Sequence, residues 1–254
     1  QKNIEAEEKW AQKKEEQERK IRKNNLVMEN IVKVRSITLW IFFVPFAAVN
    51  ICLILVTNFH DLFLSEADRL HNTIPYIDGG ASISRVARVF PTYFIFKPAM
   101  FFTSYLLIRY WLYNKQLILS FDKNTNHINK IIFFGIGSAI LLTVHSIFLG
   151  IKFDNDLYKL FRRVVMLSFI IFEIAAQAYL VLILYKIKKD IIKHVNWNFV
   201  IAKRILVTLL ILIAIISIPI ISSPGYKFLK HALEWDYFVG VISFYILTFF
   251  MWKK

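Results

Sequence analysis

The sequence has one cysteine, Cys52, and only seven glycines and six prolines among 254 residues. A single cysteine cannot form an intrachain disulfide, so the chain is not stabilised by internal disulfide bonds. The sequence also lacks the P-loop, HExxH, GxSxG and CxxC patterns. These patterns are typical of phosphate-binding loops, zinc proteases, serine hydrolases and thiol redox sites. We therefore predict no catalytic residue, no metal site and no cofactor.

Apolar residues, in contrast, are abundant. They make up 57% of the chain, and the mean hydropathy is +0.49. A helix rises about 1.5 Å per residue, so about 20 apolar residues cross a hydrocarbon core of about 30 Å. Six apolar runs of roughly this length alternate with polar connectors: Ile37–Val56, Phe90–Tyr113, Ile131–Gly150, Val164–Tyr185, Ile205–Ser222 and Tyr237–Trp252.

These runs are continuous rather than alternating, which is typical of membrane helices and not of barrel strands. We predict an all-α fold: an integral membrane bundle of six transmembrane helices over residues 37–254, with a charged cytoplasmic helix over residues 1–36. No early apolar stretch with a cleavage site precedes the first run, so we expect that run to direct insertion. A soluble helical protein is disfavoured, because its core helices are rarely apolar all round for this length.

The basic residues are distributed unequally between the two sides of such a bundle. One side carries 22 Lys and Arg residues, and the other carries nine. The basic side holds residues 1–36, 109–130, 186–204 and 253–254, and the other side holds residues 57–89, 151–163 and 223–236. The positive-inside rule then places both termini in the cytoplasm, although the membrane itself is not identified.

The net charge of +14 raises the question of nucleic-acid binding. A nucleic-acid site needs stacking aromatics on a basic surface outside lipid. Here the aromatics lie at the ends of the runs, as in an interfacial belt: Trp40, Tyr110, Trp111, Tyr113, Trp235, Tyr237 and Trp252. We therefore predict membrane lipids, with anionic headgroups at the basic loops, as partners and no nucleic acid.

Residues 1–36 are rich in helix-forming residues. Four acid–base pairs have the favourable i,i+4 order: Glu5–Lys9, Glu15–Arg19, Glu16–Lys20 and Glu18–Arg22. This segment is either a docking arm for a protein partner or a solvated helix without a partner. We expect the membrane helices to offer a second surface for protein partners.

Ionisable residues inside the runs are the main candidates for a polar interior, because a charge near the bilayer centre costs about 2.5–3.5 kcal/mol. Glu173 is the deepest acid, and Gln177 lies one turn later on the same face. Lys97 and His145 lie in the second and third runs. These four residues either line a site for a lipid headgroup, ion or proton, or they clamp helices together. A Lys97–Glu173 pair is one such arrangement, and snorkelling of Lys97 to the interface is another.

The connector before the second run contains the sequence Pro75-Tyr76-Ile77-Asp78-Gly79-Gly80, which predicts a tight turn with a carboxylate at its tip. This turn would order the outer mouth of the bundle. Histidine and aspartate residues of the same side could also converge on a metal or hydrolytic site, although their spacing does not require it: His60, Asp61, His71, Asp78, His231 and Asp236.

Four short motifs occur in order along the chain. They are Pro45 in the first run, the PYI-x-x-G turn (Pro75, Tyr76, Ile77, Gly80), the pair Arg109–Tyr110 and the pair Glu234–Trp235. Over about residues 37–252 the sequence resembles the six-span family of the damage-regulated autophagy modulators, the Golgi GPI-anchor lipid-remodelling factor and the yeast suppressor-of-four-kinase protein. The resemblance implies six spans, cytoplasmic termini and a lipid-linked role in GPI-lipid remodelling, phosphoinositide kinase organisation or autophagy.

We therefore expect a non-catalytic membrane protein that handles lipid or acts as a membrane scaffold. One alternative is an accessory structural subunit of a large membrane complex, docked through residues 1–36. Another is a membrane lipid acyltransferase or hydrolase that uses the histidines and aspartates of the loops. A transporter is disfavoured, since neither inverted repeats nor broken spans are evident.

Overall fold

The computed structural model describes residues 2–122, 125, 127–151, 155–223 and 225–253, and it describes side chains from residue 10 onward except 221 and 222. The helices are α1 (Lys2–Asn58), α2 (Pro75–Asp78), α3 (Ile83–Ala87), α4 (Tyr93–Phe121), α5 (Ile128–Phe148), α6 (Asp156–Lys186), α7 (Lys188–Ile191), α8 (Trp197–Ser222) and α9 (Lys227–Met251). Two 3-10 turns, His60–Leu62 and Glu66–Asp68, follow α1. Within these described ranges the fold is all-α, as predicted.

Among the described residues, five helical segments are long and apolar enough to cross a membrane. They are Trp10–Asn58, Ile128–Phe148, Asp156–Lys186, Trp197–Ile220 and Lys227–Met251. The chain is therefore a multi-pass membrane protein, as the apolar runs predict. The helix α4 covers most of the second predicted run but is not among the five. The charged side chains of Lys97 and Arg109, together with Pro98, dilute its apolar character.

The long helices alternate in direction, so that two ends of the bundle can be distinguished. At one end, the Cys52 thiol near the end of α1 lies 3.4 Å from the carbonyl oxygen of Thr92 just before α4. The ammonium group of Lys97 in α4 donates to the carbonyl of Ile147 near the end of α5, at 3.2 Å. We call this the long-loop end, because it carries the connector over residues 59–92.

The opposite end brings the charged half of α1 together with the last helix. The guanidinium carbon of Arg35 lies 4.4 Å from the ring centroid of Phe249. Lys186, at the end of α6, lies 3.6 Å from the carboxylate of Asp122, which follows α4. Lys253, the last described residue, is hydrogen-bonded to the connector before α8. We call this the termini end.

The first helix is exposed at its start and packed from its middle onward. Side chains of residues 10–26 are exposed, whereas Val27, Ile31 and Val34 form a buried stripe at helical spacing. Three expected i,i+4 ion pairs are present on the exposed part: Glu15–Arg19 at 2.5 Å, Glu16–Lys20 at 2.6 Å and Glu18–Arg22 at 3.4 Å. The Glu5–Lys9 pair lies outside the described side chains. The packed part of α1 therefore begins at Val27, ten residues before the first predicted apolar run starts at Ile37.

The helices α4 and α5 approach closely at a glycine. A Cβ atom on Gly135 would lie 2.4 Å from the Cγ atom of Trp111, which is closer than any side-chain contact allows. Trp111 is fully buried. The missing side chain of Gly135 therefore provides the space that the indole ring fills, and this fit sets the separation of α4 and α5.

Candidate functional site

The carboxylate of Glu173 is buried among three hydrogen-bond donors. Its side chain is 1% exposed near the middle of α6. Ser138 Oγ on α5 donates to Glu173 Oε2 at 2.6 Å, and Gln177 Nε2 donates to Oε1 at 3.0 Å. The hydroxyl of Tyr245 on α9 donates to Oε1 as well. Both carboxylate oxygens thus have partners, as a buried charge requires, and one side chain links α5, α6 and α9.

Gln177 extends this network toward α9. Its side-chain amide, one turn after Glu173, also donates to the carbonyl of Val241 at 3.1 Å. Gln177 is fully buried. The two predicted interior residues Glu173 and Gln177 therefore lie in one hydrogen-bonded unit.

A fully buried lysine lies nearby on α8. Lys203 Nζ donates to Thr248 Oγ1 at 2.8 Å and lies 3.8 Å from the ring centroid of Phe244. Thr248 in turn donates to the Phe244 carbonyl at 2.9 Å. No described carboxylate lies within salt-bridge distance of the Lys203 ammonium group. A cation–π contact and a single hydroxyl are therefore its polar partners.

Two tyrosines connect the acid with the lysine. The Tyr110 hydroxyl lies 3.3 Å from Thr248 Oγ1, and the rings of Tyr110 and Tyr245 pack edge to face with centroids 4.9 Å apart. Tyr245 contacts Glu173, and Thr248 contacts Lys203. We refer to the whole set as the polar core: Tyr110, Ser138, Glu173, Gln177, Lys203, Tyr245 and Thr248.

The polar core can balance charge inside an apolar bundle. A carboxyl group and an amine in one buried region carry either opposite charges or, after one proton moves from Lys203 to Glu173, no charge. Either state avoids the large penalty of a lone buried charge. Ser138 and Glu173 also form a hydroxyl–carboxylate pair, but their exposures of 0% and 1% leave no open face toward a substrate. The arrangement favours helix assembly over covalent chemistry.

Lys97 and His145 lie outside the polar core. Lys97 is half-buried at the long-loop end and donates to Ile147 instead of pairing with Glu173. His145 is half-buried near the end of α5, and its Nδ1 atom has no hydrogen-bond partner among the described residues. Of the four predicted interior residues, Glu173 and Gln177 therefore belong to the polar core, whereas Lys97 and His145 do not.

Sequence reasoning missed Lys203, Tyr245 and Ser138. The fifth predicted run begins at Ile205, which leaves Lys203 among the basic residues of a connector, whereas α8 begins at Trp197. The apolar residues on both sides of Lys203 were the available signal, since they extend the run by two turns. Nothing in the sequence distinguishes Ser138 and Tyr245 from other polar residues of membrane helices.

At the long-loop end, residues 75–80 form the predicted tight turn. Asp78 Oδ1 accepts hydrogen bonds from the backbone N–H of Gly80 and from Thr73 Oγ1, both at 2.8 Å. Its Oδ2 atom accepts one from the backbone N–H of Ile74 at 2.7 Å. The hydrogen bond from Gly80, together with the others, lowers the pKa of the Asp78 carboxyl group. The carboxylate thus closes the turn on itself rather than facing outward as a ligand.

This turn is fixed to the first and last helices through aromatic residues. Tyr76 donates its hydroxyl to Asn50 Oδ1 on α1 at 3.0 Å, and its ring packs edge to face on Trp235, with centroids 4.8 Å apart. Trp235 Nε1 donates to the carbonyl of Ala81 at 2.8 Å. Burial raises the pKa of the Tyr76 hydroxyl, against the opposing hydrogen bond to Asn50. Tyr76 and Trp235 thus attach the turn to the bundle.

Backbone contacts bring the turn closer still to α9. Gly79 adopts a left-handed conformation with φ of +61°, and a Cβ atom there would lie 1.7 Å from the carbonyl oxygen of Phe228. The carbonyl of Gly79 lies 2.9 Å from His231 Nδ1. Only glycine fits both the conformation and the space. We refer to residues 75–81 with His231 and Trp235 as the cap.

The other motif residues have distinct positions. Pro75 is buried at the first position of α2, and Ile77 is 81% exposed. The Glu234 carboxyl group faces the backbone N–H groups of Ile83 and Ser84 at the start of α3. The motif pair Glu234–Trp235 therefore contacts the segment that follows the motif turn.

Two motif positions lie away from the cap. Pro45 is inside α1, which continues as a helix on both sides of it. Arg109 on α4 is exposed and donates to the Tyr113 hydroxyl one turn later, while its neighbour Tyr110 belongs to the polar core. The Arg109–Tyr110 pair thus has one residue on the surface and one in the interior.

Over the described ranges, the histidines and aspartates of the long-loop end are not grouped around a common point. The His60 and His71 rings pack at 4.4 Å, and His60 Nε2 lies 2.9 Å from the carbonyl of Leu70. Among the described residues, no group of three or more His, Cys, Asp or Glu side chains could hold a metal ion.

Comparison with known proteins gave no relative. No family model matches this chain, and neither the curated proteins nor the solved structures include a significant match.

Proposed function

We propose that this chain is a non-catalytic membrane protein that handles or organises membrane lipids, with six spans and both termini in the cytoplasm. We further propose that it belongs to the six-span family of the damage-regulated autophagy modulators. The observation that carries the proposal is the cap, because it brings two of the motifs behind the family resemblance into direct contact at the long-loop end.

The cap supports the family assignment through the positions of the motif residues. Two motifs far apart in sequence, the turn at residues 75–80 and the pair Glu234–Trp235, are in direct contact. The hydrogen bonds of Tyr76 and Trp235 give both motifs a structural reason to occur together. A resemblance that rests on four short motifs is stronger when two of them form one unit.

The polar core supports a non-catalytic role. Every hydrogen-bond partner of Glu173 is itself buried, with exposures of 0–1%. Two open surface cavities, of about 560 and 250 Å³, lie elsewhere: one beside Tyr158 and the other between α1 and α7. Neither is lined by a residue of the polar core.

The length and position of α4 support its assignment as the sixth span. Its 29 residues correspond to a length of about 43 Å, which exceeds a hydrocarbon core of about 30 Å. It begins at the long-loop end beside Cys52 and ends at the termini end beside Lys186. Lys97 and Arg109 lie far enough apart to extend toward opposite interfaces.

Cysteine labelling tests the sixth span directly. In a Cys52→Ala background, single cysteines are placed at Leu64, which is 99% exposed, and at the exposed residues Gln17 and Lys189. Between residues 64 and 189 the chain crosses three times if α4 spans the membrane and twice if it does not. In sealed membrane vesicles, with and without permeabilisation, an impermeant maleimide should reach Leu64→Cys from one side of the membrane and Gln17→Cys and Lys189→Cys from the other. Labelling of Leu64→Cys and Lys189→Cys from the same side would refute six spans.

The lipid role requires a cellular test. Depletion of the protein in its own cells should change the composition of GPI-anchor lipids or the level of membrane phosphoinositides, measured by lipid mass spectrometry. Re-expression of the wild-type chain should restore that composition, and so should Gly225→Ala, a glycine substitution outside the cap. Gly79→Ala, which disrupts the cap, should not restore it. An unchanged lipid composition after depletion would contradict the proposal.

A second candidate function, an accessory subunit of a large complex, is favoured by the exposed start of α1. Residues 10–26 have no buried side chain, which leaves about 26 Å of helix available to a partner. Purification in mild detergent distinguishes the two functions. A stoichiometric large assembly that is lost on deletion of residues 2–26 would favour the subunit role, and a lone 30.0 kDa species would count against it.

A further inference from the structure

An aromatic pair lies where α6 and α8 meet at the termini end. The rings of Tyr185 and Trp197 pack edge to face, with centroids 5.1 Å apart. Tyr185 is in the last turn of α6, and Trp197 is the first residue of α8. Both rings are half-buried, as aromatic residues of a membrane interface commonly are.

A basic side chain lies over each ring of this pair. Arg204 Cζ lies 5.2 Å from the Tyr185 ring centroid, and Lys188 Nζ lies 4.7 Å from the Trp197 ring centroid. Both cations are exposed. Over the described part of the chain, neither is hydrogen-bonded to another residue or lies within salt-bridge distance of a carboxylate.

These cations differ from others at the same end. Lys186 pairs with Asp122, and Arg19 and Lys20 on the exposed start of α1 pair with glutamates one turn away. The nearest acid in sequence, Asp190, lines the cavity beside α1 together with Lys20. An aromatic face attracts a cation without occupying its N–H groups. The donors of Arg204 and Lys188 are therefore held in place but remain available for an anion.

An apolar surface continues from this cluster along the same two helices. On α8, the face that carries Arg204 continues two to three turns later with Ile211, Leu212 and Ile215. Their exposed fractions are 38%, 48% and 58%. On α6, Leu182 lies one turn before Tyr185 and is 59% exposed. A phospholipid has a charged headgroup at one end and acyl chains that extend toward the middle of the membrane. The charged donors at the end of the bundle match the headgroup, and the aliphatic side chains toward its middle match the acyl chains.

We propose that Tyr185, Lys188, Trp197 and Arg204 form a binding site for an anionic phospholipid of the cytoplasmic leaflet. The phosphate accepts hydrogen bonds from the guanidinium fork of Arg204, and Lys188 donates to the headgroup. An acyl chain lies against Leu182, Ile211 and Leu212. This inference rests on the proposed membrane orientation, which puts the termini end at the cytoplasmic headgroup layer, but it names a site that the lipid role itself does not require.

Native mass spectrometry of the full chain tests the site. The protein is reconstituted in nanodiscs of phosphatidylcholine with phosphatidylserine, released, and scored for bound phosphatidylserine. Arg204→Gln and Lys188→Gln should each lower its affinity about tenfold, since each removes one charge-assisted interaction. Arg204→Lys should give a smaller loss because it keeps the charge but not the fork. Lys189→Gln is the matched control: it removes the same charge from the neighbouring position, which has no ring contact, and should leave the affinity unchanged.

Two results would overturn the site. Equal losses in Lys188→Gln and Lys189→Gln would show that bulk charge, not the ring pair, attracts the lipid. Displacement of phosphatidylserine by an excess of inorganic phosphate, without the apolar residues contributing, would identify a free anion as the ligand. Because the readout is binding to purified protein, these results are independent of the cellular lipid changes and of the labelling that test the proposed function.

Discussion

Tyr76 and Trp235 pack edge to face, with ring centroids 4.8 Å apart and an interplanar angle of 64°. One ring belongs to a four-residue helix in the longest connector, and the other belongs to the last membrane helix. Each also makes a hydrogen bond, to Asn50 and to Ala81 respectively. The contact therefore joins the first helix, the connector and the last helix at a single point.

Trp235→Phe should destabilise the protein by about 1–3 kcal/mol, because it leaves the buried carbonyl of Ala81 without its donor. The aromatic contact with Tyr76 is largely kept. The measurement is thermal unfolding of the purified protein in detergent. Trp40→Phe is the control, since Trp40 is 59% exposed on α1 and should change the melting temperature little. Equal melting temperatures for Trp235→Phe and the wild type would argue against a structural role of the indole N–H.

Gly79→Ala should detach the turn from α9. The new methyl group would have to occupy space that the Phe228 carbonyl oxygen already fills, and the left-handed backbone adds further strain. Gly225→Ala is the matched control: it has φ of +103° but meets no atom within 4 Å. Limited proteolysis of the connector at residues 59–92 should accelerate in Gly79→Ala and much less in Gly225→Ala. Similar cleavage rates in both variants would assign the effect to backbone strain alone.

Glu173→Ala should cost about 1–3 kcal/mol, since it leaves the buried Tyr245 hydroxyl without an acceptor and removes the hydrogen bond between α6 and Ser138 on α5. Lys189→Ala, an exposed connector substitution, should change the unfolding free energy by less than about 0.5 kcal/mol. Chemical denaturation in mixed micelles measures both. If the two variants lose stability equally, the polar core does not hold the helices together.

Glu173 and Lys203 should be energetically coupled although they share no direct hydrogen bond. If the two groups carry opposite charges, Glu173→Gln alone leaves Lys203 without a compensating charge, and Lys203→Met alone leaves Glu173 without one. The double variant removes both charges and should be more stable than the sum of the single effects predicts, by about 0.5–3 kcal/mol. A double-mutant cycle from denaturation curves gives this coupling. Strictly additive losses would mean that the two charges do not compensate each other.

The cap should lose stability in acid through Asp78. The pKa of this carboxyl group is lower in the folded protein than in the unfolded chain, so its contribution is present above a pH of about 4. That contribution is lost as the pH falls through the folded pKa. As the pH is lowered from about 6 to about 2, the melting temperature of the wild type should fall. The melting temperature of Asp78→Asn should fall less. Asp61→Asn controls for removal of a carboxylate from the same connector, and curves of the same shape for Asp78→Asn and the wild type would contradict the role of Asp78.

Much of the helical architecture follows from apolar run length alone. The structure has a helix at each of the six predicted runs, but the helices extend beyond the runs. For example, α6 begins at Asp156, eight residues before Val164, because Asn155 caps it by accepting a hydrogen bond from the Leu157 N–H. Lys159, Arg162 and Arg163 in its first turns are compatible with a helix but lower the hydropathy, so an apolar run underestimates the length of its helix.

The polar core was only partly predictable. Glu173 and Gln177 stand out because an acid and an amide one turn apart are rare inside apolar runs. Their partners Tyr245 and Ser138 could not be chosen, since the sequence does not tell which faces of α5 and α9 turn toward α6. Lys203 was hidden for a different reason: a lysine two turns inside a helix resembles the basic residues of the adjoining connector.

Gly135 has an effect beyond the helix pair that it joins. Because Ser138 lies one turn after it on α5, the distance at which this hydroxyl reaches Glu173 depends on how deeply the Trp111 indole seats against the glycine. Gly135→Ala would therefore affect a third helix, α6, by lengthening the hydrogen bond between Ser138 and Glu173. The absence of a Cβ atom at Gly135 thus influences a hydrogen bond between two other residues, Ser138 and Glu173.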